Sequence, residues 1–153
     1  NNEMDDFSIK PGVPNQFGLV GGEANKIEPG KRMLSSMTPT LVLQHGEPLL
    51  VLGSPGGSRI ISAVAQTILA FTRFDLSLGE AVEQPRVHHQ WEPDMLLLEQ
   101  DGFGVATIQE LIRYGYEVEE RPPIGNVHAI AIDRAGLMHA VADKRLGGKA
   151  DGY

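Results

Sequence analysis

A chain of 153 residues with 41% hydrophobic and 22% charged side chains is long enough to bury a core, and residues 1–153 are read as one domain. A net charge of −7 with no basic block excludes a nucleic-acid surface. Zero cysteines exclude disulfides, a thiol nucleophile and Cys-based metal centres, so any nucleophile is a hydroxyl, a carboxylate or an amine.

No apolar run reaches the about 20 residues of a membrane span. The first residues, Asn1 to Phe7, carry neither the basic region nor the apolar stretch of a secretory signal. The chain does not begin with Met, which points to a processed subunit or an excised piece.

Residues 1–39 hold nine Gly or Pro and little periodicity, predicting an extended, loop-rich segment pinned to a surface near Met4–Phe7 and Phe17–Val20. Apolar runs at 40–44 and 48–52, separated by His45-Gly46-Glu47, predict a β-hairpin. The turn Gly53-Ser54-Pro55-Gly56-Gly57-Ser58 follows. Ile60, Ile61, Val64, Ile68, Leu69 and Phe71 then recur at helical spacing to about Arg73. Ser77-Leu78-Gly79-Glu80 has the form of a capping box and opens a short helix that stops before Pro85.

Residues 87–91 and 95–99 are predicted strands around a Glu92-Pro93-Asp94 turn. Thr107 and Glu110 form a second expected capping box, with Ile108, Leu111 and Ile112 as the apolar face and Gly115 as the stop. Residues 116–121 predict a strand and 122–126 break it. Residues 127–132 and 137–142, joined by Asp133-Arg134-Ala135-Gly136, make a second hairpin. There is no internal repeat. This order implies a layered α/β domain with largely antiparallel sheets and helices on their faces.

The turn at 53–58 is the most informative local feature. Adjacent glycines at a helix N-terminus turn backbone N–H groups outward, toward an anion or a developing oxyanion. The Gly-Lys-Ser/Thr ending of a P-loop is missing, and Leu52 stands where a nucleophile elbow needs glycine. A plain strand-to-helix turn is the competing reading.

Glu3, Asp5 and Asp6 are either solvated charges or, if an irregular loop gathers Glu3 and Asp6, a cradle for one cation. Ser35-Ser36 can donate hydroxyls to a carboxylate or serve ordinary turn chemistry. Among the five histidines, His88 and His89 point to opposite faces of a strand and are expected to pack beside Trp91. His128 and His139 are expected to share a face of the last hairpin. Two such residues make no metal site.

Several motifs occur together and in order: Asn1-Asn2-Glu3-Met4-Asp5-Asp6-Phe7-Ser8, Pro11-Gly12, Ser35-Ser36-Met37-Thr38-Pro39 and Gly53 to Arg59. Pro85-Arg86, His88-His89-Gln90, Asp143-Lys144-Arg145 and Gly152-Tyr153 complete the set. Over essentially its whole length the chain resembles the C-terminal part of the small subunit of γ-glutamyltransferases (γ-glutamyltranspeptidases). The resemblance implies part of an αββα sandwich of N-terminal-nucleophile hydrolase type, lacking the first small-subunit strands. It also implies a precursor that cleaves itself into two subunits and exposes a threonine. That threonine attacks the γ-glutamyl amide of glutathione or a related compound, and the ester passes its acyl group to water, an amino acid or a peptide.

By motif position, Glu3 and Asp6 would hold the α-ammonium, Ser35 and Ser36 the α-carboxylate, and Gly56 and Gly57 would form the oxyanion hole. No cofactor or metal is implied. Lys144 departs from the proline frequent at that point of the closing motif. None of Thr38, Thr40, Thr67, Thr72 and Thr107 matches the nucleophile's position.

The expected partners are therefore a large subunit and the N-terminal part of the small subunit, and the parent enzyme is expected in the periplasm or cell exterior. The isolated chain is expected to be inactive and to self-associate or bind those segments. Competing readings are a relative acting on cephalosporins or poly-γ-glutamate, and a non-catalytic binding module.

Overall fold

The computed structural model describes residues 3–152. Asn1, Asn2 and Tyr153, which belong to motifs quoted above, lie outside them. Residues 3–39 carry two single-turn 3-10 helices, Met4–Asp6 and Glu23–Asn25, and otherwise run as loop, as the glycine and proline content predicts. Bridges between Ser8 and Lys26 and between Pro14 and Val20 fold this segment back on itself.

Strands β1 (Thr40–Gln44) and β2 (Glu47–Gly53) form the expected hairpin. Its loop is only His45-Gly46, both at positive φ, the geometry whose twist matches paired strands. The helix α1 (Arg59–Arg73) follows, then α2 (Leu78–Glu83). The second has the predicted capping box complete: Glu80 N–H donates to Ser77 Oγ, and Ser77 N–H to Glu80 Oε2.

Next come β3 (Val87–Gln90), β4 (Met95–Glu99), α3 (Val105–Arg113), β5 (Val118–Arg121), β6 (His128–Ile132) and β7 (Met138–Ala142). The second capping box is not formed. The helix α3 starts at Val105 behind Gly104, which places Thr107 inside its first turn. Gly104 can extend at the boundary without a side chain, and the S/T-x-x-E spacing alone does not fix a helix start.

Two sheets result. One is four-stranded and antiparallel in the order β1-β2-β6-β7. The other is three-stranded in the order β3-β4-β5, its second pair parallel across the α3 crossover. Leu50, Leu52, Ala129 and Ala131 on one face of the larger sheet pack against Ile60, Ala63 and Val64 of α1 and Leu78 and Val82 of α2. The opposite face of α1 meets β3. There the Gln66 side-chain amide pairs with both the N–H and the C=O of Val87, standing in for a neighbouring strand at a sheet edge.

The far face of the larger sheet is apolar and exposed. The register aligns Leu41, Val51, Ile130 and Ala140 across all four strands, and the three large members are exposed. Two histidine expectations fail on register and exposure. His139 sits opposite Ala131, three residues from His128. That odd step puts the two rings on opposite faces of the hairpin. Trp91 is 88% exposed, and neither neighbouring histidine packs on it. His88 is buried, whereas His89 contacts Asp94 and the Tyr116 ring.

Candidate active site

Beside the N-terminus of α1 lies a cavity of about 390 Å³ lined by Glu3, Asp6, Ser36, Gly56 and Gly57, among others. Five of the six residues singled out from the sequence thus meet in one place, although more than 50 positions separate the first from the last. A larger hollow of about 440 Å³ shares Asp6 and Ser36 but contains neither glycine. The smaller cavity brings both carboxylates together with the Gly56-Gly57 turn.

The carboxylate wall comes from the Met4–Asp6 turn. Its curl brings Glu3 and Asp6 to one cavity, where an extended strand would have split them between two sides. Asp6 N–H donates to Glu3 C=O at 3.2 Å and Phe7 N–H to Met4 C=O at 3.1 Å. Phe7 is buried beneath the turn. Asn25 Nδ2 donates to Asp6 C=O at 2.8 Å and Asn15 Nδ2 to Asp5 C=O at 3.4 Å, so two asparagine amides hold the turn from outside.

The N–H wall is the start of α1. Gly56 and Gly57 both have positive φ, +141° and +57°, a conformation that a side chain resists. Arg59 N–H donates to Gly56 C=O and Ile60 N–H to Gly57 C=O. These bonds wind the turn into a helix whose first N–H groups have no acceptor within the helix. A Cβ on Gly57 would lie 2.3 Å from the Phe17 ring, so the loop is closed over by an aromatic side chain from the N-terminal segment.

Behind Gly56 stands Gly125, also at positive φ. A Cβ on Gly56 would come 3.5 Å from the Gly125 Cα. Ser54 Oγ accepts from Asn126 N–H at 2.8 Å, locking the two loops together.

Four charged side chains brace this second loop. Arg86 and Asp143, each 1% exposed, pair at 2.8 Å. Arg145 grips Glu99 with two bonds of 2.7 Å and reaches Asp143 at 3.1 Å. Through this network Ile124 N–H donates to Glu99, Val127 N–H to Asp143, and Arg86 donates to Ile124 C=O. Burial pushes the Asp143 carboxyl upward, but the Arg145 and Val127 N–H groups and the Arg86 guanidinium outweigh it and hold it below its ordinary value. Glu99 is lowered in the same way, burial being outweighed by Arg145 and by the Ile124 and Arg86 N–H groups.

Lys144, the departure in the closing motif, leaves this arrangement undisturbed. Its ammonium pairs with Glu83 at the surface while Asp143 and Arg145 face inward.

Ser35 is not part of the cavity wall. It is exposed, and its Oγ accepts from Met37 N–H at 3.2 Å, the turn chemistry weighed above. Arg86, His88, Gln90, Asp143 and Arg145 stand in the quoted motifs without a part in the site, His88 being expected only to pack beside Trp91. Asn15 and Phe17 carried no motif signal at all. None of the chain's five threonines lines the cavity. No group of three or more metal-ligating side chains occurs among the described residues, and no helix among them is long and apolar enough to cross a membrane.

Comparison with known proteins agrees with this architecture. Residues 1–153 match the family model described as Gamma-glutamyltranspeptidase. The chain is 47% identical to the glutathione hydrolase proenzyme of Escherichia coli (strain K12) over 145 residues, 95% of this chain and 25% of that protein. Against the glutathione hydrolase proenzyme of Pseudomonas aeruginosa PAO1 it is 46% identical, covering 92% of this chain and 26% of that protein.

A solved mutant of Helicobacter pylori gamma-glutamyltranspeptidase superposes with a TM-score of 0.88 at 48% identity, over 95% of this chain and 80% of that one. The Bacillus anthracis transpeptidase CapD gives 0.72 at 27% identity, over 87% and 81%. The fold is therefore of N-terminal-nucleophile hydrolase type, part of an αββα sandwich, as the motifs implied. The chain belongs to the gamma-glutamyltranspeptidase family. It spans about a quarter of the length of the curated relatives it matches.

Proposed function

We propose that this chain is part of an enzyme that cleaves γ-glutamyl amides, glutathione and related compounds among them, and transfers the γ-glutamyl group to water, an amino acid or a peptide. The observation that carries this reading is the single cavity with Glu3 and Asp6 on one wall and the Gly56-Gly57 turn on the other. Two carboxylates suit an ammonium, which brings only donors. Two N–H groups at a helix start suit the negative oxygen of a tetrahedral intermediate.

In this scheme a threonine hydroxyl from the rest of the protein attacks the γ-carbonyl. A C–O bond forms and, as the intermediate collapses, the C–N bond breaks; the amine leaves with a proton. Water or an acceptor amine then attacks the ester and regenerates the hydroxyl. The Gly56 and Gly57 N–H groups stabilise the oxyanion in both halves of the reaction. Ser36 donates its hydroxyl to the α-carboxylate. Ser35 does the same with its proton, since accepting from Met37 N–H leaves its donor available.

The rest of the small subunit and a large subunit complete the site. The aligned row of Leu41, Val51, Ile130 and Ala140 supports a covering layer, because an apolar sheet face of this extent gains by burial. The isolated chain self-associates through that face in their absence. The parent enzyme works in the periplasm or outside the cell, a setting that cell fractionation tests.

The decisive assay expresses the complete precursor and follows release of p-nitroaniline from γ-glutamyl-p-nitroanilide, with and without a dipeptide acceptor. Turnover that the acceptor accelerates is expected. A properly matured protein that turns over only cephalosporins or poly-γ-glutamate, or nothing, overturns the reading.

A further inference from the structure

His88 is buried against α1, and the scheme above gives it no task. Its Nδ1 lies 2.8 Å from Ser62 Oγ and its Nε2 2.8 Å from Gln90 Oε1. Which partner donates is fixed at the far end of the Gln90 amide. Gln90 Nε2 is 3.0 Å from the Phe17 carbonyl oxygen and 2.8 Å from that of Glu92, and only an NH₂ group can serve two carbonyls. Gln90 Oε1 therefore faces His88 and also Ser58 Oγ, at 2.9 Å, and accepts from both. His88 thus carries its proton on Nε2, and its Nδ1 accepts from the Ser62 hydroxyl. A neutral ring agrees with burial, which lowers the pKa of His88.

All four hydrogen-bonding positions of the Gln90 amide are filled, and they join three parts of the molecule. Ser58 follows Gly57 at the start of α1. Phe17 belongs to the N-terminal segment and lies against Gly57. Phe17 N–H donates to Asn15 Oδ1, and the same asparagine donates to Asp5 C=O within the carboxylate-bearing turn. Gln90 itself sits at the end of β3. A continuous line of contacts therefore runs from Ser62 in α1 to the Asp5 carbonyl, in the turn that carries Asp6.

We propose that Gln90, oriented by His88, is a positioning residue that sets the separation between the Glu3–Asp6 wall and the Gly56-Gly57 wall. This rests on the γ-glutamyl reading above. Three carbons separate the ammonium of that group from its γ-carbonyl carbon, so both ends are gripped together only at one wall spacing. A misplacement of about 1 Å can cost on the order of a hundredfold in rate.

The test uses the complete matured enzyme and compares L-glutamate with glutarate as competitive inhibitors against γ-glutamyl-p-nitroanilide. Glutarate lacks only the ammonium, so the ratio of the two inhibition constants measures the two-ended grip. That ratio is independent of the active fraction, which a merely structural defect would change. Gln90→Glu keeps the shape but replaces two donors with an oxygen facing the Phe17 and Glu92 carbonyls. The preference for glutamate is expected to fall about tenfold, part of the loss that misplacement brings.

His88→Leu is expected to reduce the preference less, and His88→Gln, which can restore the donor to Gln90, to recover it. This pair carries the test if Gln90→Glu does not fold. A wild-type preference retained in Gln90→Glu, or in His88→Leu, overturns the positioning role. A wild-type enzyme without preference for glutamate overturns the γ-glutamyl reading instead.

Discussion

The two walls of one cavity are built by different physics. The glycine wall is continuous with the core. It heads a 15-residue helix whose buried face includes Ile60, Ala63 and Val64, and it rests on a loop braced by Arg86, Glu99, Asp143 and Arg145. The carboxylate wall is a single 3-10 turn on a largely exposed segment, tied down by Asn15 and Asn25. The first wall can loosen only with the fold. The second can loosen by itself, because local opening costs least where few apolar contacts are lost. In the proposed reaction this arrangement separates a rigid part, assigned to the developing charge, from an adjustable part, assigned to a group of the ground state.

The strongest way to break this contrast is to remove the brace. Arg86→Met leaves Asp143 buried with one guanidinium in place of two. Breaking a buried pair from one side costs about 3–5 kcal/mol, so the parent enzyme should show a markedly lower denaturant midpoint. An equivalent loss from Asn25→Ala, on the other wall, would erase the distinction.

The same brace predicts acid sensitivity. Asp143 and Glu99 have folded pKa values below their ordinary ones, so the stability they contribute is fully present above the unfolded values. It is lost as pH falls below about 4 and through the lowered folded values. Unfolding monitored against pH should show this loss in the wild type and less of it in Asp143→Asn.

Gly57→Val comes next in size and acts on chemistry. A Cβ at φ +57° would meet the Phe17 ring at 2.3 Å, displacing the N–H groups that the proposed reaction assigns to the transition state. Losing one such donor costs about 2.7–4 kcal/mol, a hundredfold or more in kcat. KM should move little. A matured variant in which KM alone changes would make the glycine turn a ground-state binding element.

The contrast also explains what was legible in the sequence. Elements of the glycine side are legible because core packing imposes a pattern: the apolar spacing of α1, the apolar run of β2 and the Ser77 capping box all correspond to the fold. The Thr107 box failed because a local spacing was read without the packing that decides where a helix starts.

The meeting of Glu3, Asp6, Ser36 and the glycines is implied by the family resemblance alone, since periodicity and spacing do not show it. It depends on loop contacts between residues separated by up to 73 positions, such as Gln90 to Phe17. The expected face shared by His128 and His139 depended on hairpin register, which composition alone does not fix.

Asp6→Ala probes the adjustable wall. A charge-assisted bond to an ammonium is worth roughly 1.5–3 kcal/mol, so kcat/KM for a γ-glutamyl substrate should fall at least about tenfold. Denaturant stability should stay near wild type, since the Met4–Asp6 turn contributes no residue to the buried core. A large stability loss with unchanged kinetics would move Asp6 from the site to the scaffold.

The serines give the sharpest comparison, because they are neighbours with different surroundings. Ser36 lines the cavity, whereas Ser35 is exposed and already accepts from Met37 N–H. If both donate to the α-carboxylate, each alanine variant removes one charge-assisted hydroxyl bond, roughly 1.5–3 kcal/mol or about tenfold or more in kcat/KM. Ser35→Ala also removes the acceptor that shapes its turn, so its loss should be partly restored by Ser35→Thr, which keeps the hydroxyl. Ser36→Ala should respond to substrate chemistry instead. Its penalty should vanish with a γ-aminobutyryl p-nitroanilide, which lacks the α-carboxylate. Equal penalties on both substrates would show that Ser36 shapes the wall without touching the carboxylate, leaving that anion to groups from the rest of the protein.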